Sequence, residues 1–593
     1  MKARIYLALI LMAGLMAGCK KDFLVRDPLD KLDDDSYWAN EKNLRTFAYG
    51  FYTTYFVGYA SGFTFGPYFY QGQSLNDDFG PTSPPQFTKV VPATDGGWSF
   101  TNIRKANIFI DRIGTVPGLS DEARNHWLGV ARFFRALAFS DLVNTYGDVP
   151  WFGKPPLSSE EELIYKPRDP RAVVMDSVLA DFKFAAENVR AADGEKGLNV
   201  SKWVVMAYMS RIMLFEGTWQ KYHNLSTAKA AEYLAAAKWA GNEVITKGGF
   251  KFTNAYRESF NSLDLSKNED MIMYRRYATG LLTHSLNSYV NREGQTGPNK
   301  NLVETYLCVN GLPIDPSGAN PNPLYVGDKN INEVMANRDP RMFGTYNMEV
   351  RPNGSYNKTN LLGVSTSGYC TLKFLNDEIK DQSIGLSNLN PTHAPVIRYG
   401  EVLVNYAEAA AELGTLGQPG ITQEDLDKSI NILRKRPTGI PGNDTKLPDL
   451  QVVGGQPAVG GTVYDDEKRD PLVPAMIWEI RRERRVELVM EGFRLDDLRR
   501  WKKLDYTDTE KNPDINRGAW IVRSEWDKQP PATGSWLKDV TLTGANEGYI
   551  IPSPVAKRIF ESDKVYLQPI PLNQIKLYED AGAELSQNPG WTQ

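Results

Sequence analysis

The residues of this chain best suited to chemistry are aromatic rings interleaved with planar hydrogen-bonding groups. Phe51 to Tyr70 holds ten aromatic residues, and Phe65, Tyr68 and Tyr70 stand among Gly62, Gly66 and Pro67, where a loop is expected. Gln71, Gln73, Asn76, Asp77 and Asp78 follow at once and supply amide and carboxylate groups. A pyranose offers axial C–H faces that stack on rings and hydroxyls that need amide, carboxylate or guanidinium partners, so a site for it must combine both kinds of residue. Two further places do so. Tyr274, Arg275, Arg276 and Tyr277 lead toward Tyr289, Asn291 and Arg292, and Trp98 lies in TDGGWSF just before a helical segment, Thr101 to Ile113. Each ring also has a packing role open to it, pinning its loop to the core.

Bond-making chemistry leaves weaker traces. HExxH, GxSxG, GxxxxGK[ST] and a GxGxxG after a strand are all missing, and the four histidines, at 126, 223, 284 and 393, have no ligand spacing. A glycosidase needs two carboxylates about 5 to 10 Å apart, which cannot be read from 72 acidic residues in sequence. Arg481, Arg482, Arg484 and Arg485 look like a polyanion site, yet Glu479, Glu487 and Glu491 stand three positions from Arg482, Arg484 and Arg494, the pattern of an ion-paired helix face. Arg132 and Arg135 are expected to pack their stems on the scaffold. Asp33, Asp34 and Asp35 lack the EF-hand spacing and are expected to cap the amphipathic stretch Leu44, Phe47, Phe51, Tyr55. With 68 basic and 72 acidic residues the net charge is −4, which offers no field for nucleic acid.

The N-terminus reads as an address. Lys2 and Arg4 precede an apolar run, Ile5 to Ala17, which is shorter than the roughly 20 residues of a spanning helix, and Ala17-Gly18 leads into Cys19. This resembles the lipobox of bacterial lipoproteins, in which the Cys is acylated and becomes the new N-terminus; Met16 departs from the usual pattern. Each buried CH₂ contributes about 0.8 kcal/mol, so several acyl chains would anchor the chain durably. Cys308 and Cys370 can make at most one disulfide and no framework.

These candidate residues need a scaffold, and the pattern is helical. Trp127, Ala131, Phe134, Ala138 and Leu142 recur at helical spacing between Glu122 and Val143. A second helix starts after Asp169-Pro170, and Lys202 to Phe215 and Thr227 to Thr246 follow with Ser201 and Ser226 as N-caps. Ile397 to Leu413 and Asp425 to Arg436 form another pair. The expected fold is all-α dominated, a tetratricopeptide-like helix-pair scaffold with a loop-rich subdomain. Its divisions would be a signal peptide at 1–18, a tether at 19–32, an N-terminal scaffold at 33–249, the loop-rich subdomain at 250–395 and a C-terminal helical and loop part at 396–593. Trp591, after Pro589-Gly590, is expected to dock on the body.

Six segments in order carry a wider resemblance: FLVRDPLDKLDDDSYW (Phe23 to Trp38), ARFFRALAFSDLVNTYGDVP (Ala131 to Pro150), NRDPRM (Asn337 to Met342), VIRYGEVLVNYAEAAAELG (Val396 to Gly414), IRRERRVELVMEGFRLDDLRRW (Ile480 to Trp501) and YLQPIPLNQI with LSQNPGW (Tyr566 to Trp591). They resemble the RagB/SusD family of Bacteroidetes lipoproteins. The resemblance implies a cofactor-free, non-catalytic surface lipoprotein that binds a nutrient glycan and sits on a SusC-like TonB-dependent transporter. A peptide ligand, a glycoside hydrolase and a ligand-free scaffold are the alternatives. The expected binding set is Phe65, Tyr68, Tyr70, Asn76, Asp77, Trp98, Tyr274, Arg276 and Tyr289, with Cys19 lipidated. Metabolic labelling with a fatty-acid probe should mark the wild-type chain and leave Cys19→Ala unlabelled; equal label in both removes the anchor.

Overall fold

The computed structural model describes residues 37–64, 75–286, 296–318, 321–352, 365–439, 445–526 and 540–592. Cys19, Phe65, Tyr68, Tyr70, Tyr289 and the acids Asp33 to Asp35 lie outside the described residues. The longer helices are α1 (Glu41–Tyr49), α2 (Thr101–Ile113), α3 (Asp121–Tyr146), α4 (Arg171–Asn188), α5 (Lys202–Tyr222), α6 (Thr227–Lys247), α7 (Tyr399–Gly414), α8 (Ala475–Glu487), the short α9 (Arg494–Arg500) and α10 (Leu572–Asp580). The starts are set by side chains: Ser120, Ser201 and Ser226 accept hydrogen bonds from the third backbone N–H of α3, α5 and α6. Gly147, at φ +78°, ends α3 in a conformation that favours glycine. The N-cap of α1 is Asn40, whose side chain accepts from the Asn43 N–H, so the expectation that Asp33 to Asp35 cap this helix does not hold.

Helices α2 to α8 pack each on the next, in the order α2, α3, α4, α5, α6, α7, α8. This is the tetratricopeptide-like all-α array expected from the sequence. Small residues set the closest approaches: a Cβ on Gly217 of α5 would come within 2.7 Å of Leu234 on α6, and one on Gly241 of α6 within 3.1 Å of Tyr406 on α7. The main core runs through the array, with Phe51 stacked on Phe134 at 4.5 Å and 10°. Trp591 docks as expected, its indole N–H donating to the carbonyls of Lys564 and Leu567.

Between α6 and α7 the chain leaves the array. The excursion carries β1 (Met271–Arg275), β2 (Tyr346–Val350), β3 (Tyr369–Thr371) and β4 (Ala394–Arg398); β1 pairs antiparallel with β4, and β2 with β3. Strand β4 runs straight into α7, so Ile397 and Arg398, expected in the helix, are strand: β-branched Val396 and Ile397 suit the β1 pairing. The helix expected over Asp425 to Arg436 is two short ones, Gln423–Asp427 and Ile430–Arg434, interrupted at Ser429, whose hydroxyl donates to the Asp425 carbonyl. Residues 451–463, in the C-terminal part, form a three-stranded antiparallel sheet. Cys308 and Cys370 are both buried, and no disulfide joins them.

The arginine run on α8 is ion-paired but not on a solvated face. Arg482 does pair with Glu479 on its own helix. The other partners are distant: Arg484 with Asp497, Arg485 with Asp78, Arg494 with Asp77. Glu487 accepts from Arg398 at 2.6 Å and from Arg436 at 2.9 Å, and Glu491 accepts from Arg398 and Lys373. Burial opposes the charge on Glu487, yet Arg436, Arg398 and Arg341 outweigh it and hold the carboxyl at about 2. Removing one member of such a cluster leaves buried charge uncompensated. Glu487→Gln should therefore lower stability by about 3–5 kcal/mol, read as a fall in the denaturant midpoint at constant slope; a loss below about 1 kcal/mol would show that Arg398, Arg436 and Arg341 can re-pair without it.

Candidate functional site

Two of the concavities among the described residues share no lining residue. The larger, of about 470 Å³, lies over one face of α8. Trp478, Arg481, Arg482 and Arg485 recur at three or four positions and so project from the same side of that helix. Asn301 and Thr305 face them, and Asp505, Tyr506 and Asn512 form the rim. Trp478 donates its indole N–H to Asp466 at 3.0 Å, which fixes the ring. The second, of about 410 Å³, is bounded by α2, α10 and the segment from Phe152 to Tyr165. Trp98, Phe100, Phe152, Tyr165 and Tyr578 give it an aromatic lining, with edge-to-face contacts of 5.6 Å between Trp98 and Phe100 and 5.3 Å between Tyr165 and Tyr578. Arg104 and Gln574 are its polar edge.

The residues singled out in the sequence are dispersed. Trp98 lines the aromatic groove while packing edge-on against Tyr146 at 5.1 Å. Asp77 lines the larger cleft, but its carboxylate is bound by Arg494 at 2.7 and 2.8 Å. Burial raises its pKa, and Arg485 and Arg494 more than reverse that, so the carboxyl lies well below the usual range. Asn76 is buried, its Oδ1 accepting from the Asp78 N–H and its carbonyl from Arg558. Asn76 and Asp77 thus brace the fold, with these groups already engaged inside the protein. Tyr274 is buried on β1, its ring lying over His393 at 5.7 Å and against Gly197. Arg276 is exposed and paired with Glu195.

The flanks of the aromatic segments nevertheless come together. Gly62 bridges His284, and Phe79 bridges Pro298, so the chain on both sides of residues 65–74 is paired with the chain on both sides of 287–295. Pro352 bridges Ser365 across residues 353–364, and Ser365 and Ser367 lie against Gly297. Three segments therefore spring from one place, and two of them hold Phe65, Tyr68, Tyr70 and Tyr289. Beneath that place Tyr59, Tyr277 and His284 pack ring against ring, Tyr59 and Tyr277 each meeting His284 edge-on at 4.9 and 4.8 Å.

Residues 260–591, more than half of the chain, match a family model described as the SusD family. The chain belongs to the SusD family. Residues 92–214 match a second model, described as starch-binding associating with outer membrane. Two SusD-like proteins of Formosa agariphila are similar, one 27% identical over 119 residues and the other 22% identical over 235; the matches span 20% and 38% of this chain and 22% and 44% of theirs. Among solved structures, a SusD-like carbohydrate binding protein from Bacteroides fragilis shares the fold at a TM-score of 0.65 with 20% identity, over 92% of this chain and 99% of that one. A laminarin binding SusD-like protein does so at 0.52 with 19% identity, over 93% and 100%. A surface glycan-binding protein A from Bacteroides fluxus gives 0.57 at 16%, again over 93% and 100%.

The Trp478 cleft was missed in the sequence because an arginine-rich helix reads as an ion-paired face. The available signal was a Trp on the same helical face as three arginines. His284 adds a pH dependence. It accepts from the Leu286 N–H at Nδ1, which leaves its proton on Nε2 for the Thr392 carbonyl, and burial lowers its pKa to about 3. The unfolded chain takes up this proton near pH 6.5, so the stability is complete above about 6.5 and lost as pH falls toward 3. Thermal unfolding should show a falling midpoint as the solution is acidified through that window, and a weaker pH dependence in His284→Gln; identical profiles would remove His284 from the cause.

Proposed function

We propose that this protein is a cell-surface glycan-binding lipoprotein: anchored by lipid on Cys19, it holds an oligosaccharide without cleaving it and delivers it to a SusC-like TonB-dependent transporter in the outer membrane. The observation that carries the reading is the pairing of Gly62 with His284 and of Phe79 with Pro298, which gives the segments holding Phe65, Tyr68, Tyr70 and Tyr289 a common origin. A multi-ring platform on a rigid helical array meets the need of a sugar for stacking faces and adjacent polar groups. The names of the structural relatives, carbohydrate binding, glycan-binding and laminarin binding, support the ligand class. Trp98, in its aromatic groove, is the remaining stacking residue. Tyr59, Tyr277 and His284 pack together next to the Gly62–His284 bridge and would steady the ends of those segments.

A glycan array probed with the soluble form lacking Cys19 tests this directly. Retention of at least one oligosaccharide is expected, without release of reducing ends. Tyr68→Ala, Tyr70→Ala and Trp98→Ala should each weaken it by about 5- to 30-fold, the equivalent of losing one stacked ring at about 1–2 kcal/mol. Unchanged retention in all three would overturn the platform, and retention of peptides in place of glycans would transfer the site to the peptide alternative.

A further inference from the structure

The cleft over α8 has no part in the reading above, and its lining is more than a by-product of the ion-pair network. Its volume of about 470 Å³ lies in the range of small-molecule sites. Two aromatic rings on its wall, Trp478 and Tyr506, are half-buried, and each has its polar end tied: the indole N–H to Asp466 and the phenol to Asp470. Rings held in this way present their faces without losing side-chain freedom when a ligand arrives.

Hydrogen-bonding capacity remains open around those rings. Asn301 accepts from Arg485 through Oδ1, and Asn512 donates through Nδ2 to the Tyr506 carbonyl, which leaves one end of each amide facing the cleft. Asp505, on the rim, forms no salt bridge with any described residue, and burial raises its pKa. The charges decide the ligand class. Lys468 is paired with Glu304 and Asp315, Arg482 with Asp466 and Glu479, Arg485 with Asp78, and Arg494 with Asp77. These cations are therefore already neutralised, and the two remaining charges of the lining, Asp505 and Lys511, stand close enough to influence each other and are opposite in sign, so the cleft offers no excess charge to an ionic ligand.

From this we infer that the cleft is a second saccharide site, taking a neutral pyranose unit that stacks on Trp478 or Tyr506 while its hydroxyls meet Asp505, Asn301 and Asn512. The inference rests on the glycan-binding reading and assigns it a second point of contact. Two sites on one chain would hold a long glycan more tightly than either alone, through the raised effective concentration of the second contact.

Titration calorimetry and affinity electrophoresis of the soluble form with laminarin, amylopectin and galactomannan as neutral probes, and alginate as an acidic one, test it. Trp478→Ala and Asp505→Ala should each weaken retention of a neutral glycan about 3- to 10-fold and lower the number of bound oligosaccharides, with alginate not retained at the cleft. Asp505→Ala alters only the rim, so it decides the matter if Trp478→Ala fails to fold. Wild-type affinity and stoichiometry in Asp505→Ala, together with the same in any folded Trp478→Ala, would overturn the cleft while the loop platform stands, as would tighter binding of alginate than of any neutral glycan through the cleft residues. Failure of the wild-type protein to hold any of the neutral glycans would overturn both readings together.

Discussion

Buried charge is the constraint on which the rest of this fold depends. Glu487 is fully buried between Arg398 at the end of β4, Arg436 beyond the second short helix, and Arg341 in the excursion. Glu483, one turn earlier on α8, is bound by Arg434 and Arg341. Charges removed from water in this way are tolerable only when every partner is in place. The network therefore links the helical array, the loop-rich excursion and the C-terminal part in a single arrangement, because slippage of any one part would strand an ion. Glu408 on α7, held by Arg500, extends the same logic to α9.

That network shows how far sequence alone reaches. The helix periodicity and the serine caps at 201 and 226 are local signals, and the structure follows them closely. Ion pairing on α8 was legible as a composition, since Arg and Glu alternate at helical spacing. The partners were not, because spacing of three residues describes a helix in water, whereas burial selects partners such as Arg398 and Asp77 from remote parts of the chain. The interruption at Ser429 escaped for a similar reason: one hydroxyl turning back on a carbonyl outweighs a periodic pattern that continues past it.

Binding residues follow a comparable division. Rings among glycines and prolines point to loops, and the bridges at Gly62 and Phe79 place the ends of those loops together, a pairing that no local pattern encodes. Polar residues next to the rings were less informative: Asn76 and Asp77 have the chemistry a sugar needs, but the Asp78 N–H takes the amide oxygen of the first and Arg494 the carboxylate of the second. Trp478 shows the converse, a ring on a helix whose neighbours look purely structural until the surrounding loops enclose them.

The seam between α6 and α7 has a temporal consequence. These two helices are neighbours in the array, yet the entire excursion with β1 to β4 separates them along the chain. An array of local helix pairs can zip up in sequence order, but this one must stop at Lys247 until Tyr399 has emerged and returned. Contacts of such long range are slow to form, so the first five helices of the array would wait with one face of α6 uncovered.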